Sequence, residues 1–134
     1  MTFREKSIAI QIAAILAVYS FYGLRYWGQP LTGPGAGVAL VAGITFSMIV
    51  VTVIAHIAIG GRSRPEKQDE RDRVIGLRGS RNAYYVLAVT NWCLLWLILT
   101  NTRHGLVLLT ALVAFAVAEL VRLGSKMWYY RLGT

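Results

Sequence analysis

Residues 37–59 read GVALVAGITFSMIVVTVIAHIAI, and no Asp, Glu, Lys or Arg occurs from Tyr26 to Gly61. The hydrocarbon core of a bilayer takes about 20 predominantly apolar residues as helix. This stretch therefore predicts a membrane-spanning helix over 37–59. The same test works outward in both directions. No charge lies between Lys6 and Arg25, which predicts a helix over 7–26. Charge-free sequence between Arg81 and Arg103 predicts one over 83–101. A fourth runs over 104–123, interrupted only by Glu119 and Arg122. Glycines and prolines from Gly28 to Gly35 mark the turn between the first two. The expected fold is all-α: a polytopic membrane protein, residues 1–134 forming a single domain with four transmembrane helices.

Composition agrees. The chain is 56% apolar and only 15% charged, against about 25% charged in a soluble domain. The opening Met-Thr-Phe-Arg-Glu-Lys resembles the start of a secretory signal. The apolar run after it is too long for a signal core and leads into Tyr19, Phe21 and Tyr22, so it is expected to be a retained helix.

The formal net charge is +8. Such basicity points to nucleic acid or to anionic lipid. Here the basic residues flank apolar runs, which favours lipid headgroups and excludes direct nucleic-acid binding. Arg4 and Lys6 precede the first span. Arg62, Arg64, Lys67, Arg71, Arg73, Arg78 and Arg81 lie between the second and third. Arg122, Lys126 and Arg131 lie at the end of the fourth. These twelve share one side, against Arg25 and Arg103 on the other. Lysine and arginine concentrate in cytoplasmic flanks, so both termini and the 61–82 segment are expected in the cytoplasm. Tyr26 and Trp27 at one boundary, and Tyr84, Tyr85, Trp128, Tyr129 and Tyr130 at the other, match the interfacial preference of amphipathic rings.

Apolar burial does not drive helices together in lipid, whereas close packing of small side chains does. Gly35, Ala39, Gly43 and Ser47 recur every four residues and predict a packing face on the second helix. Ala9, Ala13 and Ala17, and Thr110, Ala114 and Ala118, do the same on the first and fourth. Either a seam within the chain or a homodimer interface fits this spacing. Four short helices enclose little volume, so a homo-oligomer is expected. On the third helix Trp92, Leu95, Trp96 and Leu99 form a stripe that reads as lipid-facing or packing surface.

The 61–82 segment holds the densest charge. Gly60-Gly61 can end the second helix, and Ser63 and Glu66 have capping-box spacing around Pro65. A new helix is expected from about Arg64, bending at Gly76 or Gly79 or else running straight into the third span and extending it into the cytoplasm. Glu66 to Arg73 is polar all round, so it stands in water or against something polar. Asp69, Glu70, Asp72 and Arg73 are the candidate contacts for a soluble partner. The carboxylates point several ways around a helix and lack the calcium-loop spacing, so no metal site is expected. From Val74 onward apolar residues alternate with arginines. Arg78 and Arg81, with Lys126 and Arg131, are placed at headgroup depth against anionic lipid.

Asp69-Glu70-Arg71-Asp72, followed by Ile75, Arg78 or Arg81 and Tyr84-Tyr85-Val86-Leu87, resembles a pattern in a family of small bacterial four-helix inner-membrane proteins of unknown function. The match covers about twenty residues leading into the third helix. The resemblance implies a bacterial inner-membrane location and no catalytic residue. Genes of this type often lie beside small helix-turn-helix regulators, which implies a membrane protein that holds a regulator.

Ionisable groups inside a span are functional candidates. Glu119 lies one turn inside the end of the fourth span, three residues before Arg122. His56 is at matching depth on the second helix, Gln11 on the first, and Arg81 and Asn82 at the start of the third. Together these form a candidate polar cluster at the inner mouth. His104 lies at the opposite face, so the two histidines share no haem within one protomer. His56 and Glu119 are too few for a tetrahedral metal site. The lone Cys93 excludes an intrachain disulfide. Small multidrug exporters carry their acid in the first helix, which has none here. No phosphate-binding glycine loop, nucleophile elbow or HExxH is present. The chain is therefore expected to be no enzyme and to need no cofactor. It is expected to dock or sequester a soluble partner, with a transcriptional regulator as the candidate class. The competing expectation is a homo-oligomeric transporter or channel for a small solute or ion, using Glu119 and His56.

Overall fold

The computed structural model describes residues 3–26, 34–60, 70–101 and 103–132. Four helices account for nearly all of them: α1 (Phe3–Tyr26), α2 (Pro34–Gly60), α3 (Glu70–Leu99) and α4 (His104–Leu132). Each is long and apolar enough to cross a membrane. At 1.5 Å per residue, α1 is about 36 Å long and α3 about 45 Å, against a hydrocarbon core of about 30 Å. The helices therefore outrun the apolar stretches that nucleate them. The excess is greatest in α3, which from Glu70 runs unbroken into the 83–101 span, the straight course of the two expected, and in α4, which continues to Leu132 rather than stopping near 123. Gly76 and Gly79 do not interrupt α3. The proposed start near Arg64, and Asp69 with it, lie outside the described residues.

Adjacency runs α2–α1–α4–α3. The end at which α1 and α3 begin, and α2 and α4 finish, is called basal below; the other is apical. Ile8 and Ile15 of α1 pack with Ala116 and Leu123 of α4. One turn further along, Val18 packs with Leu40 and Ile44 of α2. α3 packs extensively on α4 alone. Only 6% of the apolar window of α3 and 11% of that of α2 is buried within the chain. An aqueous protein would lose stability by exposing so much apolar surface, whereas lipid solvates it. The Trp92, Leu95, Trp96 and Leu99 stripe lies on this outward surface.

The small-residue face of α2 divides. Gly43 and Ser47 meet Tyr22 of α1, whose hydroxyl lies 3.1 Å from Ser47 Oγ. Gly35 and Ala39 are exposed. The buried stripe of α2 instead centres on Leu40 and Ile44, one position on from the expected seam. On α4, Ala114 and Ala118 are buried as spacing implies; on α1, Ala13 and Ala17 face outward.

α3 is followed by a turn at Thr100 and Asn101. Asn101 adopts φ 53°, and its amide donates to the carbonyl of Ile98 at 3.0 Å. Asparagine tolerates this left-handed conformation better than most L-residues. Asn101→Val is expected to lower stability by about 1–2 kcal/mol, while Asn101→Gly holds the wild-type midpoint. Thermal unfolding in detergent, followed by circular dichroism, reads the difference.

Candidate functional site

The first candidate region is the basal projection of α3 and α4. Apolar or small residues recur on α3 at 75, 79 and 83, all buried. On α4, Leu120, Leu123, Met127 and Tyr130 recur at spacings of three and four, which is one helical face. These faces meet. Ile75 is 1% exposed. At Gly79 the helices touch: a Cβ there would lie 2.9 Å from the Arg122 carbonyl oxygen and 2.9 Å from Lys126 Cγ. Asn82 Nδ2 donates to Ser125 Oγ at 3.0 Å. Tyr130 donates its hydroxyl proton to Asp72 at 2.9 Å. Arg78 stands 5.6 Å from the Tyr129 ring centre, in cation–π range.

These contacts sort the expected partner-binding residues. Glu70 and Arg73 are exposed, as are Arg71, Arg78 and Arg81. Asp72 is half-buried and turns toward α4. It therefore helps hold the projection together, whatever else it meets. Lys126 lays its stem over Gly79, and Arg131 is exposed. The sequence signal for this projection is that no proline or glycine pair ends α4 at 123.

The second region is a cleft of about 610 Å³ between α1, α2 and α4. α1 packs on both neighbours. α2 and α4 approach at their apical starts, where a Cβ on Gly37 would lie 3.1 Å from Leu108 Cδ2. Ile15, Ile44, Met48, Leu112 and Phe115 give the cleft apolar walls, and Gln11, Thr52, Glu119 and Arg122 give it a polar basal end. Glu119 is bound by Arg122: Nη2 lies 2.6 Å and Nε 2.9 Å from the same carboxylate oxygen. The half-buried acid thereby has its countercharge one turn away.

The expected single polar cluster resolves into three groups. Besides the Glu119–Arg122 pair and the Asn82–Ser125 bond, His56 forms its own network. Its Nδ1 donates to the Thr52 carbonyl at 2.8 Å. Its Nε2 is left to accept from Ser7 Oγ at 3.2 Å and Gln11 Nε2 at 3.4 Å. The ring thus staples α1 to α2. His56 is not among the side chains lining the cleft, although Gln11 is. Arg81 joins none of these groups among the described residues. Ser7 and Ser125 complete the networks without a sequence signal, since lone hydroxyls carry no distinguishing spacing, and Tyr130, expected only as an interfacial ring, bonds Asp72. Comparison with family models, with curated proteins and with solved structures finds no match.

Proposed function

We propose that this chain is a multi-pass protein of the bacterial inner membrane whose basal projection docks a soluble cytoplasmic partner. Both termini and the 61–82 segment face the cytoplasm in this reading, from the twelve-to-two distribution of basic residues. The observation that carries it is the pairing of charge with rigidity. Glu70, Arg71 and Arg73 are exposed on a helix whose opposite face is locked to α4 through Ile75, Gly79 and Tyr130. An isolated charged helix of this length would be marginal in water, and a flexible one loses more entropy on binding. The α4 support removes both costs. Arg78 and Arg81 set the height of the projection against anionic headgroups. A transcriptional regulator is the partner class that the resemblance implies. Outward-facing Ala13, Ala17, Gly35 and Ala39 suit close approach of a second copy, so the working unit is a homo-oligomer.

Crosslinking and co-purification from native membranes, read by mass spectrometry, tests the proposal. Wild type is compared with Glu70→Lys/Arg73→Glu, which reverses two exposed charges and spares Asp72 and its bond to Tyr130. A soluble protein captured by wild type and lost at least about tenfold in the variant is the expected result. Equal capture by both would overturn the assignment of this surface.

A further inference from the structure

The cleft between α1, α2 and α4 is graded in polarity along the helix axis. Gln11, Thr52, Glu119 and Arg122 line its basal end, while Val41, Leu108 and Leu112 line it toward the apical end. Leu108 and Glu119 are separated by about 16 Å along α4. One leaflet of hydrocarbon is about 15 Å deep, half of a core of about 30 Å. The cleft thus has the length and polarity profile of a single lipid standing in the basal leaflet. Its volume, about 610 Å³, lies within the range of pockets that hold ligands, roughly 300–1,000 Å³.

Charge narrows the class. Glu119 is countered by Arg122 in the lining, and Lys126, one turn further along α4 with its stem over Gly79 on the α3 side, adds positive charge beside the basal end. Arg122 spends Nε and Nη2 on one oxygen of Glu119. Its Nη1 makes no hydrogen bond among the described residues, leaving donors for a second acceptor. Guanidinium donors recognise phosphate oxygens strongly. Zwitterionic heads would gain less, because Glu119 is already engaged by Arg122.

We propose that this cleft binds one anionic phospholipid, its phosphate held by Arg122 and one acyl chain lying along Ile15, Ile44, Met48 and Phe115. The site is separate from the docking surface on α3, and neither proposal depends on the other. Binding here wedges α2 away from α4 and fixes α1 between them, so the lipid acts as a structural ligand of the α1–α2–α4 arrangement.

Native mass spectrometry of the full chain tests this directly. The protein in detergent is incubated with equal phosphatidylglycerol and phosphatidylcholine, then stripped of micelle in the instrument. One phosphatidylglycerol per chain is expected to be retained, preferred over phosphatidylcholine by about tenfold. Arg122→Gln is expected to erase the preference. Ala111→Trp, which fills the cleft without changing charge, is expected to abolish retention of both lipids. Arg103→Gln, at the apical start of α4, keeps wild-type binding. Helical circular dichroism is recorded on every variant. If Arg122→Gln loses its helices, Ala111→Trp decides the matter. Equal retention of the two lipids by wild type overturns head recognition. Retention undiminished by Ala111→Trp overturns the cleft as the site. A lipid-free dimer, with a photoreactive residue at Phe115 crosslinking to a second copy, shows that protein fills the cleft and also overturns the proposal.

Discussion

Gly79→Leu is expected to part α3 from α4 at the basal end and to lower unfolding stability by about 3 kcal/mol or more. The nearest atom to a new Cβ at 79 is the backbone carbonyl oxygen of Arg122, at 2.9 Å. A helix carbonyl cannot swing aside as a side chain does, so the whole of α4 must shift. That shift strips the cover from Ile75, pulls Ser125 from Asn82 and loosens Tyr130 from Asp72. Two other glycines serve as controls. Gly76 lies on the same helix with nothing within 4 Å of its would-be Cβ. Gly76→Leu is expected to be neutral or stabilising by up to about 1 kcal/mol, from helix propensity. A Cβ on Gly43 would lie 2.7 Å from the Tyr22 hydroxyl, but that is the tip of a rotatable side chain. Gly43→Ala should displace the ring and lose its bond to Ser47, a cost of about 1 kcal/mol. The measurement is the unfolding midpoint in SDS titration, read by circular dichroism. Asn82→Cys/Ser125→Cys crosslinking in a Cys93→Ser background reports the helix pair independently. Identical midpoints and crosslinking for Gly79→Leu and Gly76→Leu would refute the interlock.

The four helices were legible because each contains the run of about 20 residues nearly free of charge that a membrane-spanning helix needs. The apical starts of α2 and α4 accordingly fall within a few residues of the expected ones. The basal ends were less legible. Hydropathy marks where a helix leaves apolar solvent, not where it stops being helical. Before 83 the charged helix runs straight into the third span, one of the two courses expected for it; past 123 α4 persists because α3 covers it, a tertiary effect visible only when Asp72, Gly79 and Asn82 are matched with Tyr130, Lys126 and Ser125. Depth was legible for the polar residues, and direction was not. Gln11, His56, Glu119 and Asn82 were all placed near the basal mouth, yet rotation about each helix axis sends Asn82 to Ser125 and His56 to Ser7. In lipid an outward-facing apolar stripe and an inward one have similar composition, so sequence leaves that rotation open. The Gly35–Ser47 face shows the consequence: half of it meets Tyr22 and half faces outward.

Ile75→Asp is the sharper test of whether the helix pair itself is what a partner recognises. Ile75 is 1% exposed, whereas its neighbour Val74 is 43% exposed. A carboxylate at 75 has no water to solvate it and lies one turn from Asp72, a like charge on the same helix. An uncompensated buried charge costs about 3–5 kcal/mol, more than the local α3–α4 contacts return. The basal segment of α3 is therefore expected to detach from α4 while the four apolar helices persist. Val74→Asp places the same group in solvent and should leave both stability and partner capture near wild type. Set beside Glu70→Lys/Arg73→Glu, which changes surface charge without touching buried contacts, the variants separate two causes of lost capture. Loss in both Ile75→Asp and the charge reversal, with stability lowered only in the former, means that the partner reads charged residues in their packed geometry. Capture retained by Ile75→Asp means that the linear run around Glu70–Arg73 suffices. In that case the α4 support stabilises the protein and has no part in recognition.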